Sequence, residues 1–106
     1  MNNVVQVTDQ TFRDTINFNE FVILDYQAAW CGPCKGFAPV YERVAKDYIG
    51  KIIFGKIDVD EFSLLGEHGI KSIPAIVFLK RGVVVDKLIG SQTEQKFRET
   101  IAKYVS

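Results

Sequence analysis

The stretch Phe21-Val22-Ile23-Leu24-Asp25-Tyr26 is almost wholly apolar, and no other feature constrains the fold so tightly. A strand with one face in water alternates apolar and polar side chains. A strand apolar at successive positions has both faces covered, as in a parallel or mixed sheet layered between helices. Parallel neighbours then need long crossovers, usually helices. The chain supplies them. Residues 4–7 read as a strand. Thr8-Asp9 reads as a helix start, Phe12 and Ile16 share one face of that helix, and Asn17-Phe18-Asn19 breaks it. Over residues 34–48, Phe37, Val40, Tyr41, Val44, Ala45 and Tyr48 recur at helical steps. Pro39 predicts a kink there, and Gly50 a stop.

Residues 52–58 form a third strand, 63–68 a short helix stopped by Gly69, 75–79 a fourth strand and 83–89 a fifth. The short Lys80-Arg81-Gly82 turn forces the last two strands antiparallel. A helix over 93–105 closes the chain, with Phe97, Ile101 and Val105 on one face. The expected class is α/β, a mixed sheet with helices on both faces. A length of 106 residues leaves room for one domain, 1–106.

Hydrophobic residues at 47% exclude intrinsic disorder. The 13 basic residues balance the 13 acidic ones, which argues against nucleic acid or an anionic membrane as partner. No apolar run approaches the ~18 residues of a membrane helix. Met1-Asn2-Asn3-Val4-Val5-Gln6 has neither the basic start nor the apolar run of a signal peptide, so the cytoplasm is the expected location.

Both cysteines fall in one motif, Cys31-Gly32-Pro33-Cys34, directly after the buried strand. In a cytosolic α/β chain this spacing reads as a redox pair. As a staple it would close so short a loop that it removes only about 2 kcal/mol of chain entropy. As a structural zinc site it lacks ligands, since four are needed and only His68 remains. Lone and near a helix end, His68 is expected on the surface. Cys31 is placed where strand gives way to helix. A free thiol has a pKa of about 8.5 and is only ~3% thiolate at pH 7. Half-ionising it takes roughly 2 kcal/mol, within reach of a helix N-terminus. Cys31 can then attack a target disulfide, and Cys34, one helical turn on, can attack the Cys31 sulfur and release the target.

The segment Leu24-Asp25-Tyr26-Gln27-Ala28-Ala29-Trp30-Cys31-Gly32-Pro33-Cys34-Lys35 closely resembles the thioredoxin signature. Pro39 resembles that family's helix-kinking proline, Ile73-Pro74 its cis-proline opposite the dithiol, and Gly90 the glycine after its last strand. The resemblance spans the whole chain. It implies a five-stranded mixed sheet, order 1-3-2-4-5, flanked by four helices. It also implies a general protein-disulfide reductant with no bound cofactor, only its redox-active Cys31–Cys34 disulfide. A thioredoxin reductase recharges it, so NADPH enters indirectly. The other partners are oxidised proteins, and a monomer is expected.

Asp25 matches the family's buried acid and Lys56 its lysine neighbour. An aspartate in an apolar strand is rarely buried without a partner. Asp25 is either a strand-end residue held by backbone amides or a desolvated carboxylate that accepts the Cys34 proton. Lys56 is either a solvated strand lysine or the moderator of that charge. Trp30, Gly32, Pro33, Val59, Ile73, Pro74, Ile89 and Gly90 form the expected apolar collar for a target, with core packing the plainer reading of Val59 and Ile89. Alternatives to a reductase are an oxidase or isomerase on the same fold, and a binding module that uses the collar without redox chemistry. The chain departs from the family at Gln27, where Trp is usual, at Gly36, usually Met or Ile, and at Ala75, usually Thr.

Overall fold

In the computed structural model, residues 3–105 are described. Met1 and Asn2, at the head of the stretch read for a targeting signal, lie outside them, as does Ser106. The elements are β1 (Val4–Gln6), α1 (Phe12–Asn17), β2 (Phe21–Gln27), α2 (Gly32–Lys46), β3 (Ile53–Asp58), a 3-10 turn (Leu65–His68), β4 (Ala75–Lys80), β5 (Val83–Ile89) and α3 (Glu94–Ala102). The sheet order is β1-β3-β2-β4-β5, as the resemblance implies. β1, β3 and β2 run parallel, while β4 pairs antiparallel with both β2 and β5.

The apolar run occupies the centre of this sheet, and every residue from Phe21 to Tyr26 is buried. Ile23 faces α2 and α3, packing with Phe37, Tyr41, Val44, Phe54 and Phe97. Val22, Leu24 and Tyr26 face α1 and the 3-10 turn, packing with Phe12, Ile16, Ile57 and Phe62. By strand alternation, Asp25 and Gln27 point with Ile23 toward α2. Gly55 is what lets β1, β3 and β2 close up. A Cβ there would lie 2.7 Å from Val7 Cγ2 and 3.0 Å from Leu24 Cδ2. The β4–β5 hairpin turns on Arg81 and Gly82, with φ 52° and 81°, the backbone of a two-residue hairpin loop.

Among the described residues, the four-helix expectation is corrected to three α-helices and one 3-10 turn. The segment read as a helix over 63–68 holds only Leu65–His68, because Gly69 reverses the chain at φ 65°. α1 begins at Phe12, not at Thr8. Asp9 is engaged elsewhere, its carboxylate accepting the Ser63 N–H (3.0 Å) and hydroxyl (2.7 Å). α3 stops at Ala102, and the Tyr104 hydroxyl turns back to donate to Val85 O at 3.1 Å.

His68 is also corrected. It is 8% exposed, with Nδ1 2.7 Å from the Tyr26 hydroxyl and its ring 5.2 Å from that of Phe12. Lys87 Nζ donates to its carbonyl. Burial lowers its pKa, and Lys87 adds to that.

Candidate functional site: a dithiol at the end of the central strand

Ligand sites in open α/β sheets form at the carboxyl ends of strands, where the chain crosses to opposite sides. Here β2 is that strand, with β3 on one side and β4 on the other. After Gln27 the chain turns through Ala28-Ala29-Trp30 and enters α2, whose N-cap is Cys31. Pro33 suits the first helical turn, where its missing N–H costs nothing. Cys31 and Cys34 are disulfide-bonded, their Cα atoms 5.3 Å apart. The Cys31 sulfur accepts the Cys34 N–H at 3.2 Å, as a capping side chain does. A thiolate at that position meets a backbone donor and the positive end of the helix dipole.

Both cysteines are well covered, 5% exposed at Cys31 and 3% at Cys34. Exposure therefore does not separate them, but surroundings do. Cys34 lines a crevice of about 120 Å³ shared with Asp25, Gln27, Tyr41, Glu42 and Lys56. Asp25 is 4% exposed, and its Oδ1 has no hydrogen-bond partner in the protein. No backbone amide holds that oxygen. Burial pushes the Asp25 pKa up to about 7, with Lys56 pulling the other way. Lys56 is its register partner across the parallel β2–β3 pair. The Tyr41 hydroxyl reaches Ile23 O at 2.9 Å and Gly55 O at 2.7 Å, pinning α2 to the strands that carry the acid.

The expected collar residues differ in exposure and in what they touch. Ala28, Val59 and Ile73 pack against the cysteines. Trp30, Val59 and Ile73 share a groove of about 370 Å³ that continues past Leu65 and Ile70. Pro74 follows a cis bond, and its carbonyl accepts the Gly90 N–H at 2.8 Å. Ile89, paired with Ala75, is 53% exposed. Gly32 and Pro33 are exposed above the disulfide. Trp30 is 68% exposed, its Nε1 donating to Asp60 Oδ2 at 2.8 Å. Asp60 and Glu42 did not stand out in the sequence, and Tyr41 did so only as one of the periodic helix positions. Tyr41 and Glu42 follow Cys34 on one helix face, a periodicity that could have found them. Asp60 left no such signal.

Trp30 is the chain's one tryptophan and directly precedes Cys31. A nearby disulfide quenches indole emission, so emission should rise on reduction. It should track the redox titration as one two-electron step, tenfold in equilibrium per ~30 mV. A spectrum unchanged on reduction would place the indole away from the disulfide.

A larger hollow, about 510 Å³, lies at the opposite end of β2 between Asn19, Lys51, Lys80 and Tyr104. It holds no thiol. Among the described residues, no group of three or more His, Cys, Asp or Glu is placed to hold a metal ion.

Two cysteines that close and reopen one bond at the head of a helix pass electrons by exchanging disulfides. A protein so built is a dithiol–disulfide oxidoreductase. A model of the thioredoxin family matches residues 3–103. The chain is 42% identical over 103 residues to a thioredoxin of Staphylococcus saprophyticus, covering 96% of this chain and 98% of that one. It is 37% identical over 102 residues to thioredoxin 2 of Chlorobaculum tepidum, 94% of each. Among solved structures, a Plasmodium falciparum thioredoxin superposes with a TM-score of 0.87 at 42% identity, over 95% of this chain and 99% of that one. A mutant thioredoxin from Halobacterium salinarum NRC-1 gives 0.90 at 32%, over 98% and 92%. The chain belongs to the thioredoxin family. It is a protein-disulfide reductase and electron carrier that works through Cys31 and Cys34 with no bound cofactor, and a thioredoxin reductase recharges it.

Proposed function

We propose that Cys31 is the attacking sulfur, Cys34 the resolving one and Asp25 the proton acceptor. The observation that carries this is the crevice joining the Cys34 side chain to a buried carboxyl with a free oxygen. The Cys31 thiolate attacks one sulfur of a target disulfide. A mixed disulfide forms, and the first target sulfur leaves as a thiolate. The Cys34 thiol then gives its proton to the Asp25 carboxylate and attacks the Cys31 sulfur. The Cys31–Cys34 bond forms and the second target thiolate leaves. Two electrons have passed to the target. Lys56 moderates the charge of Asp25.

Trp30, Val59, Ile73, Pro74, Ile89 and Gly90 bind the target segment, with Gly32 and Pro33 beneath it. The exposed side chains of Trp30 and Ile89, and the packing of Val59 and Ile73 against the cysteines, support this reading. Partners are oxidised proteins and a thioredoxin reductase that draws on NADPH. The balance of 13 basic and 13 acidic residues gives neither nucleic acid nor membrane surface a hold. No described helix is long and apolar enough to cross a membrane. The protein works as a monomer of one domain, residues 1–106, in the cytoplasm, where thiols are kept reduced.

Reduction of insulin disulfides tests the whole reading, driven by dithiothreitol and separately by NADPH with a thioredoxin reductase. Wild type should accelerate both, and the Cys31→Ser/Cys34→Ser variant neither. A double variant that kept its effect on the target would make this a binding module.

A further inference from the structure

Of the three departures from the family, only Gln27 lines the crevice that holds Cys34 and Asp25. It lies two residues beyond Asp25 on β2, so both side chains point to the face covered by α2. It lines the same crevice as Asp25 and Cys34. It is half-buried, and its amide makes no hydrogen bond to the protein. Asp25 Oδ1, buried and unpartnered, is the other open polar position there. The crevice of about 120 Å³ has room for ordered water, and Asp25, Gln27, Glu42 and Lys56 bring polar groups to its lining.

We propose that Gln27 is a positioning residue for the proton transfer, its amide holding the hydrogen-bonded bridge, direct or through one water, between the Cys34 sulfur and the Asp25 carboxyl. The proposal rests on Asp25 as the proton acceptor. An amide suits this task because it carries both donors and acceptors. Its NH2 serves the carboxylate before transfer, and its carbonyl serves the carboxylic acid after it. The proton leaves Cys34 Sγ and ends on an Asp25 oxygen while the sulfur bonds to Cys31. Gln27 neither gains nor loses a proton. An indole at this place could donate but not accept, so it could serve only one of the two protonation states.

The test uses Gln27→Met, which keeps length and removes the amide, with Gln27→Leu as a second variant should one fold poorly. Reduced protein is mixed with dithiobis(nitrobenzoate) under single-turnover conditions. The first nitrothiolate released reports attack by Cys31, and the second reports resolution by Cys34. Attack should be unchanged. Resolution should slow about tenfold, part of the ~100-fold or more that positioned proton transfer supplies. The Asp25 carboxyl, followed by carbon NMR, should titrate at higher pH, since the charge-assisted bond to its ionised form is the stronger of the two that the variant loses. Gln27→Asn, which keeps a shorter amide, should recover part of the rate.

Normal resolution and an unmoved Asp25 titration in Gln27→Met would overturn the proposal. Asp25→Asn separates it from the reading beneath. If Asp25→Asn slows resolution and Gln27→Met does not, only the role of Gln27 fails. If neither slows it, Asp25 is not the acceptor and both fail. In the Asp25→Asn/Gln27→Met double variant, no slowing beyond that of Asp25→Asn is expected. Independent, multiplying losses would mean that Gln27 does not act through Asp25, and would also overturn the proposal.

Discussion

Cys34→Ser should accumulate as a covalent mixed disulfide with an oxidised protein target, linked through Cys31. Removing Cys34 leaves the first attack intact, because Cys31 keeps its place at the head of α2. It removes the sulfur that frees the target. Release then depends on an external thiol. Well-oriented intramolecular reactions reach effective molarities of ~10⁵ M, and even ~10 M against ~1 mM dithiothreitol predicts about 10⁴-fold slower release. Cys31→Ser should form no adduct, since a hydroxyl cannot enter disulfide exchange. Mass spectrometry of the trapped species after proteolysis decides the matter. An adduct found on Cys34 of the Cys31→Ser variant, with none on Cys31 of Cys34→Ser, would reverse the two roles.

Asp25→Asn should make the protein more stable at pH 8 and less active. The buried carboxyl titrates near 7 in the folded chain, against an ordinary 3.8. Between those values the native state binds more protons than the unfolded one, so stability falls as pH rises through the window. The full difference amounts to about 4 kcal/mol, lost by the time the carboxyl is ionised. Asparagine cannot ionise, but its buried amide leaves groups unpaired at a cost of about 1–3 kcal/mol. The net gain at pH 8 is therefore about 2 kcal/mol, on the order of 10 °C in Tm. At pH 4 the wild-type carboxyl is neutral in the fold, so only the amide cost remains and the variant should be the less stable by about 1–2 kcal/mol. His68 acts in the opposite sense, since its lowered pKa makes acid destabilising. It is present in both proteins, so the difference between them isolates Asp25. Parallel stability curves for the two proteins from pH 4 to 8 would show that Asp25 is ionised without cost.

The strand at 21–26 was legible because its composition admits one environment, covered on both faces. The cysteine spacing was legible because few arrangements put two thiols one helical turn apart. His68 was misread for a physical reason. A lone histidine carries no periodic signal, and its burial depends on the Tyr26 hydroxyl, 42 residues away in sequence. The helix over 63–68 failed because propensity ignores what flanks so short a segment: Asp9 from α1's approach and the reversal at Gly69 leave one turn. Gln27 was visible as an odd residue, but its neighbours Glu42 and Lys56 come from two other elements. Sequence order cannot show such a meeting.

The bond from Trp30 to Asp60 has a thermodynamic consequence for recognition. A large aromatic side chain facing water would ordinarily sample several rotamers, and an arriving target would have to freeze one. Immobilising such a side chain on association takes about 0.5–1.5 kcal/mol. Here the 2.8 Å bond from the indole N–H orders the ring while the site is still vacant. The entropy is given up during folding, and a target meets a preorganised platform. Many unrelated sequences can then dock on one rigid surface, each needing only a modest apolar contact beside its disulfide.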